Sequence, residues 1–206
     1  LGYVLGIVKD LPEWSAADLE TESTSFIYDA NGDMFVKLHT AENRTPVELS
    51  AMPTYLIDAF IATEDVRFYQ HPGVDVRRII GALIADIRNR SFSEGASTLT
   101  MQLVRNAILE DQEKRMERKI KEAFLAIQVE RHYTKDEILS FYLNEIYFGH
   151  GAHGVQAAAQ HYFGKDVGDL TLGESAMLAG LVRNPRIYSP FLNPENAIYI
   201  RNVVLN

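Results

Sequence analysis

From Pro53 onward apolar residues recur at intervals of three and four, the spacing that gathers them on one face of an α-helix. Before Pro53 the pattern changes. Ser25-Phe26-Ile27-Tyr28 and Met34-Phe35-Val36-Lys37-Leu38 flank Asp29-Ala30-Asn31-Gly32-Asp33, and Asn-Gly between two apolar runs predicts a β-hairpin, expected to be the only sheet. An irregular acidic lead, Asp10 to Glu22, precedes it. Helices are predicted over Pro53 to Ala62, Asp75 to Asn89 and about Asp111 to His132. Thr134-Lys135-Asp136-Glu137 and Thr171-Leu172-Gly173-Glu174 read as capping boxes that start two more. Gly149 and Gly164 suit helix ends, and Asn193-Pro194 suits a last helix start. Ile138, Phe141, Tyr142, Ile146 and Tyr147 read as core.

Two helical faces carry more than a core. In Asp75 to Asn89, Val76, Ile79, Ile80, Leu83, Ile84 and Ile87 share one broad face, with Arg77, Arg78, Arg88 and Arg90 crowding the ends. That pattern fits a buried helix, or one lying in a membrane interface with cations near anionic head groups. Residues Ser91 to Thr100 read as a mobile loop over a cleft. In Asp111 to His132, Met116, Ile120, Ala123 and Ile127 form the expected core stripe. Glu122 then falls roughly 120° away, on the side of Arg115, Arg118 and Lys119. By spacing alone this is a salt-bridged, solvated face.

A length of 206 residues with 47% hydrophobic content suits one globular domain with a real core, with room for two lobes. A net charge of -8 argues against a nucleic-acid partner, though a local basic cluster can still hold one phosphate group. With no cysteine, disulfides and thiolate metal sites are excluded, and the compartment stays unassigned. The apolar start, Leu1 to Val8, is too short to span a bilayer. A start at Leu and an end within a helical pattern suggest a piece of a longer chain, with a membrane anchor expected before it. His150-Gly151-Ala152-His153 lacks a third ligand at metal spacing and reads as a loop histidine pair, so no metal is assigned.

Candidate chemistry begins at Glu64 and Asp65, delivered by a helix to the break that Pro72 and Gly73 impose. Adjacent acids at a helix end are commonly mere surface. Their company is specific: Glu64, Asp65, Phe68, His71 and Gly73 form Glu-Asp-x-x-Phe-x-x-His-x-Gly, which resembles the first signature of the peptidoglycan glycosyltransferases of glycosyltransferase family 51. These are the domains of class A penicillin-binding proteins and monofunctional transglycosylases. Gly95 to Leu103 resembles the second block and Arg118-Lys119-Ile120-Lys121-Glu122 the third. Tyr142-Leu143-Asn144-Glu145 with Tyr162-Phe163-Gly164-Lys165 resembles the fourth, and Leu178 to Leu181 with Pro185 to Pro190 the last.

The resemblance implies a mainly α, lysozyme-like two-lobed domain over residues 25–206, with a small membrane-proximal lobe at about 74–110 and a linker over 1–24. It implies polymerisation of lipid II with inversion at the donor anomeric carbon and release of polyprenyl pyrophosphate. Glu64 is expected as the base that takes the acceptor hydroxyl proton, and Glu122 as a second acid that organises the basic site, the two facing one cleft across the lobes. A pyrophosphate leaves as a stable anion, so it needs positive charge more than a proton donor, and a carboxylate among cations is unsuited to acid work. Asp65, Ser97, Thr98, Gln102, Arg105, Arg115, Arg118 and Lys119 are the implied substrate-binding residues. Arg105 stands where the family commonly has Lys, and Ala96 and Met101 where Gly and Gln are frequent. No cofactor is implied as a requirement, although Mg or Mn is compatible. Implied partners are lipid II, lipid-linked glycan, the membrane surface and other cell-wall synthesis proteins, at the outer face of the bacterial cytoplasmic membrane. A catalytically silent glycan-binding scaffold and a lysozyme-like hydrolase are the alternatives.

Overall fold

The apolar spacing after Pro53 becomes a succession of helices in the computed structural model, which describes residues 2–19, 25–28, 34–38, 43–89, 97–109 and 115–206. The elements in order are α1 (Gly2–Lys9), α2 (Ala16–Leu19), β1 (Ser25–Tyr28), β2 (Met34–Leu38), β3 (Asn43–Arg44), α3 (Thr54–Glu64) and α4 (Val76–Asn89). They continue with α5 (Leu99–Ala107), α6 (Arg115–His132), α7 (Lys135–Glu145), β4 (Ala152–His153), α8 (Val155–Phe163), α9 (Leu172–Leu181) and α10 (Pro194–Leu205). The mainly helical class expected from the sequence is what the chain adopts.

β1 and β2 form the expected antiparallel hairpin, with Ser25 opposite Leu38 and Ile27 opposite Val36; the Asn31-Gly32 turn lies outside the described residues. The hairpin is not the only sheet. β3 pairs in parallel with β4, Asn43 opposite Ala152 and Arg44 opposite His153. Two-residue strands are too short to show alternation, so no local pattern announces them. Side chains hold this junction: Arg44 forms a bidentate ion pair with Glu145, and the Asn144 amide bonds both the N–H and the C=O of Val47 at 2.9 Å.

Both capping boxes form. Thr134 N–H donates to Glu137 Oε2 at 2.7 Å while Glu137 N–H donates to Thr134 Oγ1 at 3.3 Å, and Thr171 and Glu174 repeat the exchange. Gly164 caps α8 in the left-handed region at φ 65°. Gly149 does not cap: α7 has already ended at Glu145, and Tyr147, expected in the core, is exposed. Residues 91–96 of the expected loop lie outside the described residues, and Leu99 and Thr100 already belong to α5. The 111–114 start of the expected long helix also lies outside them.

The buried face of α6 differs from the expected one. Met116 is exposed and Ile120, Ala123 and Ile127 are only half-buried, whereas Glu122, Leu125, Ala126 and Val129 are fully buried. These four lie at i, i+3, i+4 and i+7, a regular helical stripe. Both stripes are apolar enough to serve, and the presumption that a glutamate faces water selects the wrong one. α4 is no buried core helix either: Val76, Ile79, Ile80 and Ile84 are exposed. The side chains of Leu83 and Ile87 lie outside the described residues. Among the described residues, no helix is long and apolar enough to cross a membrane.

The chain folds as two compact units, Leu1–Leu19 with Glu64–Tyr142, and Glu20–Thr63 with Leu143–Asn206. In the first, α5 packs on α6, and Leu99, Leu103 and Val104 of α5 and Leu125 and Ala126 of α6 are buried. Each such side chain contributes about 1.5–3 kcal/mol on burial, Ala less. α1 lies along α6 with Ile7 buried and the Tyr3 hydroxyl donating to Glu117 Oε1 at 2.9 Å. In the second unit α9 packs on α10, and Phe60 meets Phe148 edge-on at 6.1 Å.

Candidate active site

Glu64 is the last residue of α3 and the first of its segment of the first unit. The orphan carbonyls of a helix end need donors, and the Arg78 guanidinium, from α4, bonds the Glu64 carbonyl. The carboxylate is held separately: Gln102 Nε2 donates to Glu64 Oε2 at 2.8 Å, and Gln102 Oε1 accepts the Tyr142 hydroxyl at 3.3 Å. Tyr142 is fully buried. Burial pushes its hydroxyl well above the usual tyrosine range, with the nearby Glu64 charge adding to the rise, Arg105 partly opposing it and Asp65 adding again. The group therefore stays a neutral donor at any working pH.

Asp65 points the other way. It is 1% exposed, receives His71 Nε2 at 2.9 Å, and accepts the Leu99 N–H at 3.1 Å, one of the unpaired donors at the start of α5. Thr98 completes that cap. Its Oγ1 accepts the Met101 N–H at 3.1 Å and donates to the Gly73 carbonyl at 2.5 Å. Asp65 and Thr98, both expected to touch substrate, are thus buried joints between the Glu64 turn and α5. Gly73 sits at φ 92°, and a Cβ there would lie 2.7 Å from the Ala126 carbonyl oxygen of α6.

Asp75 fixes the start of α4. Arg67 Nε and NH2 donate to it at 2.9 and 2.8 Å, and the Arg78 N–H donates at 3.0 Å. Burial by itself would raise its pKa, but the Arg78 backbone bond and the Arg67 bonds and charge outweigh that and hold it below the usual carboxylate range.

Glu122 is the second acid, in the same unit as Glu64. Its side chain is 0% exposed; Lys119 Nζ donates to Oε2 at 2.6 Å, and Arg118 Nε faces Oε1 at 3.6 Å, an ion pair without a hydrogen bond. Lys119 also donates to Ser97 Oγ at 2.5 Å and remains one-third exposed. The structure therefore stacks a buried anion beneath accessible cations. Arg105 is half-buried near Tyr142, and the Arg115 side chain lies outside the described residues. Residues 97–102 touch both acid centres, Ser97 through Lys119 and Gln102 directly. Among the described residues no three His, Asp or Glu side chains cluster as a metal site; these carboxylates face amide and ammonium donors instead.

The transglycosylase family model matches residues 31–206. The chain belongs to the transglycosylase family. Penicillin-binding protein 1A/1B of Bacillus subtilis (strain 168) is 45% identical over 97% of this chain and 22% of its own length. Penicillin-binding protein 1A of Aquifex aeolicus is 43% identical over 100% of this chain and 28% of its own. Penicillin-binding protein 1A of Escherichia coli (strain K12) is 47% identical over 92% of this chain and 22% of its own. The chain spans about a quarter of the length of the curated relatives it matches.

Sequence spacing does not disclose a third polar centre in the same unit. Lys135 Nζ donates to the His71 carbonyl and to Glu130 Oε1, both at 2.7 Å, and lies 4.4 Å from the Phe68 ring centroid. Thr100 Oγ1 donates to the same Glu130 oxygen at 2.6 Å. Lys135 reads in sequence only as the first residue after a cap; its reach to His71 is tertiary. Tyr142 reads as core, which it is, but it also has a polar end aimed at Gln102.

Proposed function

We propose that this chain is a peptidoglycan glycosyltransferase that polymerises lipid II at the outer face of the bacterial cytoplasmic membrane. The observation that carries this reading is the unequal setting of the two acids. Glu64 accepts a bond from the neutral Gln102 amide at the end of a helix, within reach of a base's work, while Glu122 is fully buried with two cations beside it. In the proposed step the acceptor sugar 4-hydroxyl attacks the donor anomeric carbon and passes its proton to Glu64. The bond from that carbon to the pyrophosphate oxygen breaks with inversion, and the electron pair leaves on the pyrophosphate. Lys119 and Arg118, with Arg105, supply positive charge where that anion develops. Glu122, shielded from solvent, acts through those cations and is a positioning residue. Ser97 accepts a further bond from Lys119.

The exposed apolar face of α4 supports a membrane partner, since the polyprenyl chain of the donor is costly to withdraw from the bilayer, by about 0.8 kcal/mol for each CH₂. Incubation with lipid II, with and without added Mg²⁺, followed by analysis of product length tests the reading. Glycan polymers with free polyprenyl pyrophosphate are expected. Binding without turnover would indicate a silent scaffold, and fragments released from finished peptidoglycan a hydrolase.

A further inference from the structure

We propose that Tyr142 is a positioning residue for the general base, its buried hydroxyl locking the Gln102 amide so that the NH₂ end always faces Glu64. The inference rests on the reading of Glu64 as base and adds a control on that base. The two ends of a glutamine amide are nearly equal in shape, so its neighbours decide which end points where. Here Glu64 Oε2 takes the Nε2 donor at 2.8 Å, and the Tyr142 hydroxyl donates to Oε1 at 3.3 Å. The ring is fully buried, so the hydroxyl proton cannot be handed to bulk water without moving it. Its raised pKa keeps that proton in place.

The lock matters at one stage of each cycle. Once Glu64 has taken the acceptor proton, its own O–H would favour a carbonyl partner, and a free Gln102 would turn its Oε1 toward it. That turn would stabilise the protonated acid and slow its return to carboxylate. Turning the amide would set its NH₂ in place of the oxygen that accepts from the Tyr142 hydroxyl, so that bond favours the orientation in which Gln102 is the donor, and Glu64 releases its proton to water before the next addition.

The test is Tyr142→Phe, which removes one oxygen and keeps the ring. On lipid II, kcat is expected to fall roughly 10- to 100-fold with KM nearly unchanged, and the acid limb of the kcat profile to move to higher pH. Gln102→Met should move the same limb, and Tyr142→Phe should add nothing in that background. The ¹⁵N–¹H signals of the Gln102 side-chain amide should shift in Tyr142→Phe, a readout independent of turnover. A folded Tyr142→Phe with wild-type kcat, acid limb and amide signals overturns the inference, as does an equal further loss in the Gln102→Met background. Should Tyr142→Phe fail to fold, a wild-type acid limb in Gln102→Met overturns it. Wild-type turnover by Glu64→Gln would instead sink the reading of Glu64 as base, and the amide signals would still decide the Tyr142 to Gln102 link.

Discussion

Lys119 stands between Glu122 and solvent: its ammonium bonds Glu122 Oε2 at 2.6 Å and is one-third exposed, while the carboxylate is wholly buried. The pair is therefore unequal. Without the carboxylate, Lys119 can turn to water; without the ammonium, Glu122 stays buried with Arg118 at 3.6 Å and no hydrogen bond to that oxygen. Lys119→Met is expected to cost about 3 kcal/mol of stability and Glu122→Gln about 1 kcal/mol. Urea unfolding of both variants measures the order, and equal losses would contradict this account of the pair.

Glu64→Gln keeps the shape of the side chain but cannot take a proton. Turnover of lipid II is expected to fall by roughly 10² to 10⁴ while donor binding survives. Glu122→Gln should behave differently, because freeing Lys119 and Arg118 from a buried anion strengthens their hold on pyrophosphate in the ground state as chemistry slows. Donor-analogue affinity and single-turnover rate on each folded variant separate the roles. Identical profiles for the two would refute them.

Asp75 gives stability a pH dependence of definite sign. Its folded-state pKa is lowered, so the stabilisation is fully present above the unfolded value, about 3.9, and is lost as pH falls through the lower folded value. Asp75→Asn should unfold about 2 kcal/mol more easily at pH 7, and the gap from wild type should close as pH drops below about 4. Denaturant midpoints at pH 7, 5, 4 and 3 measure it, and a gap that widens on acidification would reverse the assignment.

Local signals were legible wherever one stretch of chain decides the outcome. Thr134 with Glu137 and Thr171 with Glu174 start helices because each box satisfies its own backbone donors, so four residues suffice to predict them. Glu64 was legible as a candidate from its place at a helix end and from the ordered blocks around it. The environment of Glu122 was not. Whether a glutamate on a helix faces water depends on what packs against it, and the cations expected to mark a solvated face instead neutralise a buried charge. The bonds of Asp65 and Thr98 were illegible for a related reason: nothing local announces that the N–H groups opening α5 bond both. The pairing of β3 with β4 depends on Arg44 and Glu145, far apart in sequence, and no local period records such a contact.

Gly73 joins the first signature block to α6 by close backbone approach. At φ 92° any other residue is strained by about 1–3 kcal/mol. A methyl group would also meet the Ala126 carbonyl oxygen at 2.7 Å, and backbone cannot swing aside as a side chain can. Gly73→Ala should therefore lower the unfolding midpoint and also depress turnover, because the displaced Gly73 carbonyl is the acceptor for Thr98 at the head of α5. Thermal unfolding and lipid II turnover check both, and a variant as stable as wild type would show that α6 yields at this point.

α4 offers a test of the membrane reading that leaves the core alone. Ile80 and Ile84 are 52% and 61% exposed, one turn apart on the same face, so an aspartate at either position stays solvated and should leave the melting temperature nearly unchanged. In an interface, however, each isoleucine gives up apolar surface to lipid, and a carboxylate there must be dragged from water and repels anionic head groups. Ile80→Asp with Ile84→Asp should weaken association with anionic liposomes by tenfold or more, about 1.4 kcal/mol, and should slow turnover of membrane-embedded lipid II more than that of detergent-dispersed substrate. Co-sedimentation with vesicles gives the partition coefficient. Unchanged partitioning of the folded double variant would mean that this face does not meet the bilayer.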